Sequence, residues 1–298
     1  MLLYEHIDSN KKKTVLLMIC FFIVLNILGT IIGFLFFEDL LSGLVTSSII
    51  TIIYMFITVS SAESIVLRMN NARPISKEDN IFLYNTVENL ALVAKVPVPK
   101  IYIIEENSPN AFATGISPDK SSIAVTTSLL EKLNREEIEA VLAHEMAHIA
   151  NQDIKVSTIS IALLSAILAL SDIAIRIRIS DDDDLPAPLV ILGIIFVIIS
   201  PILAKIIHFA ISRNREYLAD ATGAEFTRNP LALASALSKI DSDRDVVDNI
   251  SPSCAILYIS DPLKKHFDKD GNKKKRKKAS LFSTHPLTED RIERLTTM

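Results

Sequence analysis

The chain has 298 residues, of which 49% are hydrophobic and 22% charged, and a formal net charge of −4 at pH 7. That length can bury a catalytic core in one large domain or two modest ones. So small a charge does not point to nucleic acid, which is not expected as a partner, and the two cysteines, Cys20 and Cys254, imply no disulfide framework and suit a reducing compartment.

Residues 14–37 and 40–62 form two uncharged apolar runs separated only by Glu38 and Asp39. At 1.5 Å rise per residue, roughly 20 apolar residues cross the ~30 Å hydrocarbon core of a bilayer, so each run is long enough to span. A cleaved signal peptide is the competing reading, but its apolar region is shorter and ends at small residues, which "FFEDLL" does not supply. Residues 1–69 are therefore expected to form a transmembrane hairpin embedded in the lipid bilayer.

Residues 70–155 read as a polar α/β segment, the first part of a second domain. Ser76 followed by Asp79 and apolar residues at helical spacing predicts a helix start. Three short apolar runs, 100–105, 111–116 and 121–127, are bounded by Pro, Gly, Asn and Asp and predict strands of a small sheet. Asn134 then opens "NREEIEAVLAHEMAHIA" as an N-cap with acids in the first turn. On that helix His144 and His148 stack on one face and can aim ring nitrogens at one metal ion. Glu145 lies about 100° around the axis, too far to join the same ligands but near enough to take a proton from water at the ion. A chance H-E-x-x-H in a charged helix is the competing reading, and a catalytic zinc needs a third ligand from elsewhere to displace it.

Two later apolar runs lie in 156–205: Val156–Ile175, interrupted by Asp172, and Leu185–Ala204, which contains Pro186, Pro188 and Pro201. Their length predicts a second spanning hairpin, with core helices lining a cavity as the alternative. Lys11, Lys12, Lys13, Arg68, Arg73, Lys205, Arg213 and Arg215 flank the runs on the side that the positive-inside rule assigns to the cytoplasm, whereas Arg176 and Arg178 oppose that scheme. Both termini and both polar regions are thus expected inside the cell.

Residues 206–298 supply the second part of the polar domain. Within "SRNREYLADATGA", Glu216 and Asp220 are four apart and share a helix face. The first would serve as a third ligand and the second would orient a ligand histidine through its other ring nitrogen; a plain surface helix is the bland alternative. The basic run Lys273–Lys278 reads as a solvated loop, with contact to anionic lipid headgroups as the functional alternative.

Taken in order, "NAFATG" (110–115), "AVLAHEMAHI" (140–149), "RNREYLADATGA" (213–224) and "STHPLTEDRIERL" (283–295), with the N-terminal "MLLYEHIDSNKKKT" and the apolar pairs, resemble the HtpX-type membrane zinc metalloproteases, relatives of the CAAX prenyl proteases. The resemblance covers nearly the whole chain. It implies a mainly α membrane protein whose two hairpins carry a cytoplasmic, zincin-like α+β metalloprotease domain. It further implies a gluzincin site: one Zn2+ held by His144, His148 and Glu216, with Glu145 as catalytic base. Polypeptide substrates, quality control of damaged membrane proteins and residence in the plasma membrane follow from the same likeness. Asn110 and Ala111 match an Asn-Ala pair that holds substrate backbone in such peptidases, with turn and strand packing as the alternative. Many relatives carry a second proline after "HP" where this chain has Leu287, which leaves His285 between oxyanion stabiliser and simple packing residue. The other function classes are a prenyl-peptide protease, which a prenylated-peptide assay separates, and a non-catalytic membrane adaptor, which would need no ligand set.

Overall fold

A computed structural model describes residues 3–179, 213–243, 245, 252–260 and 286–298. It divides into two compact units, one comprising 8–62 and 159–210, the other 1–7, 63–158 and 211–298.

In the first unit α1 (Leu3–Phe37) and α2 (Leu40–Ser60) are joined by a turn at Glu38, and Asp39 caps α2 by accepting from the Ser42 N–H at 2.7 Å. Asp8–Ile31 and Leu40–Ser60 are each long and apolar enough to cross a membrane; the 21 residues of α2 extend about 30 Å. Val15, Ile19, Ile23, Ile27 and Ile31 form an exposed stripe on α1, whose opposite face buries Leu17, Phe21, Leu25 and Leu28, while α2 buries Gly43, Ser47, Thr51, Met55 and Thr58 and exposes Ile49, Ile53, Phe56 and Ile57. On α2 mainly small and hydroxylated residues face inward and large apolar ones outward, an arrangement that lipid favours, because helix association there comes from close packing and interhelical hydrogen bonds. Gly33 and Gly43 permit the approach, a Cβ on Gly33 falling 2.7 Å from Gly43 Cα. Asn26 Nδ2 donates to Ser48 Oγ at 3.0 Å, and the hydroxyls of Thr30 and Ser47 meet at 3.0 Å. The apolar run at 156–175 falls within α7 (Ile154–Ile179), whereas the run at 185–204 lies outside the described residues.

The second unit holds α3 (Ala62–Met69), β1 (Arg73–Pro74), α4 (Ile81–Ala94), β2 (Lys100–Ile104), β3 (Ala111–Ser117), β4 (Lys120–Thr126), α5 (Thr127–Lys132), α6 (Arg135–Ala150), α8 (Arg213–Thr227), α9 (Pro230–Ser242), a 3-10 turn at Pro252–Leu257 and α10 (Thr288–Thr296). The four strands form a mixed sheet in the order β1-β2-β4-β3, with β2 parallel and β3 antiparallel to β4, so β3 is an edge among the described residues. The helix expected from Ser76 begins later. Asp79 accepts from the Ser76 N–H at 2.7 Å, closing a turn, and Asn80 caps α4 by accepting from Leu83 N at 2.9 Å. Strand β1 had no legible pattern, being only two residues that pair with Tyr102 and Ile103.

Leu83, Val87, Ile101, Ile123, Val125, Leu129, Val141, Leu142, Met146 and Leu237 build one core around α6. Asn134 caps that helix in a reciprocal capping box with Glu137. Buried almost throughout from Glu137 to Ile149, α6 draws two glutamates into the interior. Glu137 is matched there by Lys239 Nζ and Ser235 Oγ, each at 2.7 Å, and by the Asn134 N–H. Glu145 is not matched in this way.

Candidate metal centre

Helical spacing places His144 and His148 one turn apart on α6, and α8 crosses α6 at close range to bring up Glu216 and Asp220. Gly223 makes that crossing possible. One and two turns beyond Asp220 and Glu216, it presses on the α6 backbone so closely that a Cβ would sit 2.9 Å from His144 N and 3.0 Å from His144 Cα. The result is a tight cluster of donors. The Nε2 atoms of His144 and His148 are 3.1 Å apart, and Glu216 sets Oε2 3.8 Å from the first and Oε1 3.8 Å from the second. Two ligands at 2.0–2.1 Å from a tetrahedral ion sit about 3.3 Å apart, so the spacing suits zinc.

The other ring nitrogens explain why the Nε2 atoms face one another. His148 Nδ1 lies 3.0 Å from both oxygens of Asp153, and His144 Nδ1 lies 2.9 Å from Asp220 Oδ1, the latter contact bent away from the straight N–H direction. With Nδ1 of each ring set against a carboxylate, both Nε2 atoms turn toward one point, and in the neutral rings their lone pairs face each other. Such lone pairs repel unless a proton or a cation stands between them. Glu145 adds a second sign. It is 1% exposed, and among the described residues neither carboxylate oxygen has a hydrogen-bond partner of regular geometry. An orphaned buried carboxylate is costly unless a ligand or its water completes it. The donor set and the orphan together fit a divalent cation with solvent beside it.

Charge tunes the cluster. Burial pushes the Glu145 carboxyl up to about 7, and the nearby Glu216 charge adds to this against the opposing His148, the Ala113 backbone and Arg291. Burial also disfavours the charged form of His148, but the Asp153 carboxylate more than offsets it and raises the ring to about 9. Burial lowers His144, with Asp220 acting in the opposite direction. Asp220, despite its burial, is held down to about 2 by the charge of Arg291 and by its contact with His144.

Arg291 on α10 is the largest element that sequence reasoning missed. Only 2% exposed, it forks onto Asp220 through Nε (2.8 Å) and Nη2 (2.7 Å) and donates from Nη1 to the Ile259 carbonyl at 2.9 Å. Asp153, five residues after His148, was missed as well. Both lie in quoted stretches or next to them, yet nothing in local spacing marks which charge turns inward. Arg215 packs on the same centre, with Nη1 3.2 Å from Ser157 Oγ and Nη2 3.5 Å from Glu216 Oε1.

Of the remaining candidates, Asn110 and Ala111 lie on the rim of β3, Asn110 being 2% exposed. Their polar groups are engaged by the chain itself: Asn110 Nδ2 donates to Ser260 O at 2.9 Å, and Ala111 O accepts from Ile259 N at 3.0 Å. His285 lies outside the described residues.

Comparison with known proteins gives a consistent picture. A profile described as Peptidase family M48 matches residues 78–298. The chain is 45% identical over 313 residues to the protease HtpX homolog of Listeria monocytogenes serotype 4a, covering 100% of both chains. It is also 45% identical over 306 residues to that of Limosilactobacillus reuteri strain DSM 20016, again over 100% of both. Among solved structures, the crystal structure of S. mikatae Ste24p matches with a TM-score of 0.48 and 19% identity, over 98% of this chain and 67% of that one.

Proposed function

Since the chain belongs to peptidase family M48 and is a membrane-bound metalloprotease, we propose that it is a zinc endopeptidase in which His144, His148 and Glu216 hold the ion and Glu145 is the catalytic base. The observation that carries this reading is the convergence of three donor atoms within 4.8 Å of one another beside a buried carboxylate that has no hydrogen-bond partner of regular geometry among the described residues.

When bound, zinc would supply Lewis acidity, polarising a peptide carbonyl and making water a competent nucleophile near neutral pH. Glu145 takes the proton of the attacking water at a carboxylate oxygen and later passes it to the departing amine nitrogen, a double duty suited to a carboxyl raised to about 7. Asp153 and Asp220 fix the two rings by accepting from Nδ1, and Arg291 holds Asp220 in place. An extended polypeptide pairs its backbone with the edge strand β3. Substrates in this reading are damaged or misfolded membrane proteins, which an anchor of apolar helices would bring within reach.

Residues 1–69 and 156–205 serve as the anchor in the plasma membrane. Residues 70–155 and 206–298 are the two parts of the protease domain, on the cytoplasmic side with both termini. The lysine and arginine distribution supports this orientation. Substitution Glu145→Gln should lower casein cleavage by at least about a thousandfold while zinc content stays at the wild-type level. Retained activity in that variant would remove Glu145 from the base role, and loss of zinc would make it a ligand instead.

A further inference from the structure

The rim of β3 is the surface an extended peptide would use, and part of it is already in use. Residues 110, 112 and 114 face β4 in the antiparallel register, as the Thr126 N–H donation to Asn110 O shows, so the backbone groups of 111, 113 and 115 point outward along the open edge. At one end Ala111 O accepts from the Ile259 N–H at 3.0 Å. At the other, Gly115 N donates to Thr158 Oγ1 at 3.0 Å. Ala113 lies between them, with its backbone against Glu145.

The segment at Ala111 has the features of a bound peptide. The Ile259 N–H bonds the Ala111 carbonyl and Ser260 bonds the Asn110 side chain, so the segment lies against the start of β3. The Asn110 side chain clasps Ser260 from both sides, Nδ2 donating to its carbonyl at 2.9 Å and Oδ1 accepting from its N–H at 3.4 Å. The Ile259 carbonyl accepts from Arg291 Nη1, and Nη2 of the same guanidinium is 3.5 Å from His144 Nε2. A bent segment whose backbone is bonded to the edge strand, with a carbonyl one guanidinium away from the metal donors, occupies the end of the rim on which a peptide would pair. Tyr258 anchors it from behind, fully buried, edge-on to Phe112 at 5.0 Å and donating to Asn70 Oδ1 at 3.0 Å.

Resting on the protease reading above, we propose that Ile259–Ser260 is a built-in competitor for the substrate-binding edge of β3, and that a peptide substrate pairs with Asn110 and Ala111 only after displacing it. The enzyme as described is then a latent form. Its activity is set by how readily this short segment leaves the edge.

Substitution Ile259→Pro deletes the N–H that donates to Ala111 and touches no metal donor or base. In the full-length, zinc-loaded protein in detergent, KM for a fluorogenic casein peptide should fall about fivefold, the equivalent of one hydrogen bond, with kcat within about twofold of wild type. An unchanged or raised KM at wild-type zinc content overturns the proposal. Because Ile259 is buried and the variant can fail to fold, hydrogen exchange on the zinc-loaded Glu145→Gln protein gives an independent test. Saturating it with the same peptide should speed exchange of the Ile259 and Ser260 amides by at least about tenfold. Unchanged or slowed exchange, with peptide binding seen by fluorescence anisotropy, also overturns the proposal. A wild-type enzyme that cuts no peptide at all would instead bring down the protease reading, and this inference with it.

Discussion

The α1–α2 hairpin and the α6–α8 pair are each drawn together by glycine, and each buries polar side chains, yet they treat those side chains in opposite ways. In the hairpin, Asn26, Thr30, Ser47 and Ser48 are neutral and meet one another, so the polar groups are consumed in holding two helices together. Between α6 and α8 the buried groups are charged, and the balance is left incomplete. Glu137 is matched by Lys239 and Ser235, whereas Glu145 on the same helix has no hydrogen-bond partner of regular geometry among the described residues and two imidazole Nε2 atoms converge. Polar burial that serves packing is satisfied internally. In the proposed reading, the incomplete balance beside α8 is the part that a ligand completes.

That contrast can be broken most severely at Arg291. Removing it by Arg291→Ala leaves Asp220 buried without its counter-charge and should destabilise the protease unit by about 3–5 kcal/mol and reduce zinc retention. The matching change in the hairpin, Asn26→Leu, removes a neutral bond between helices and should cost about 1 kcal/mol or less. Thermal melts with zinc analysis compare the two; equal costs would erase the distinction. A smaller effect should appear with pH. In the metal-free chain His148 keeps its proton up to about 9, so a proton competes with the cation below that value. Acidification below about 9 should then weaken apparent zinc affinity by about tenfold per pH unit from this group alone, and the dependence should flatten above it. Chelator competition across that range measures it, and a pH-independent affinity would contradict the Asp153–His148 coupling.

Local chemistry was well advertised in the sequence. The cap at Asn134, the stacked His144 and His148, and the four-residue spacing of Glu216 and Asp220 are all set within one helix, where periodicity dictates which side chains share a face. The three longer strands were legible as short apolar runs bounded by Pro, Gly, Asn and Asp. What the sequence did not announce depends on contacts distant along the chain. Arg291 reaches Asp220, Ser260 reaches Asn110, and Tyr258 reaches Asn70, and no periodicity encodes such pairings. Helix α4 shows how close alternatives compete: Ser76 and Asp79 have the spacing of a cap, but their side chains close a turn on each other, and Asn80 takes the capping role. Asn110 is the instructive case. Its position on the rim was readable, but the clasp on Ser260 was not.

The central claim is that residues from α6 and α8 share one divalent ion. Zinc-edge X-ray absorption on the detergent-purified full-length protein tests it most directly. The account predicts one zinc per chain with two imidazole nitrogens at about 2.0–2.1 Å, carboxylate or water oxygen and no sulfur, and a loss of bound zinc in Glu216→Ala. A stoichiometric zinc that is unaffected by Glu216→Ala, or one bound through sulfur, would contradict it.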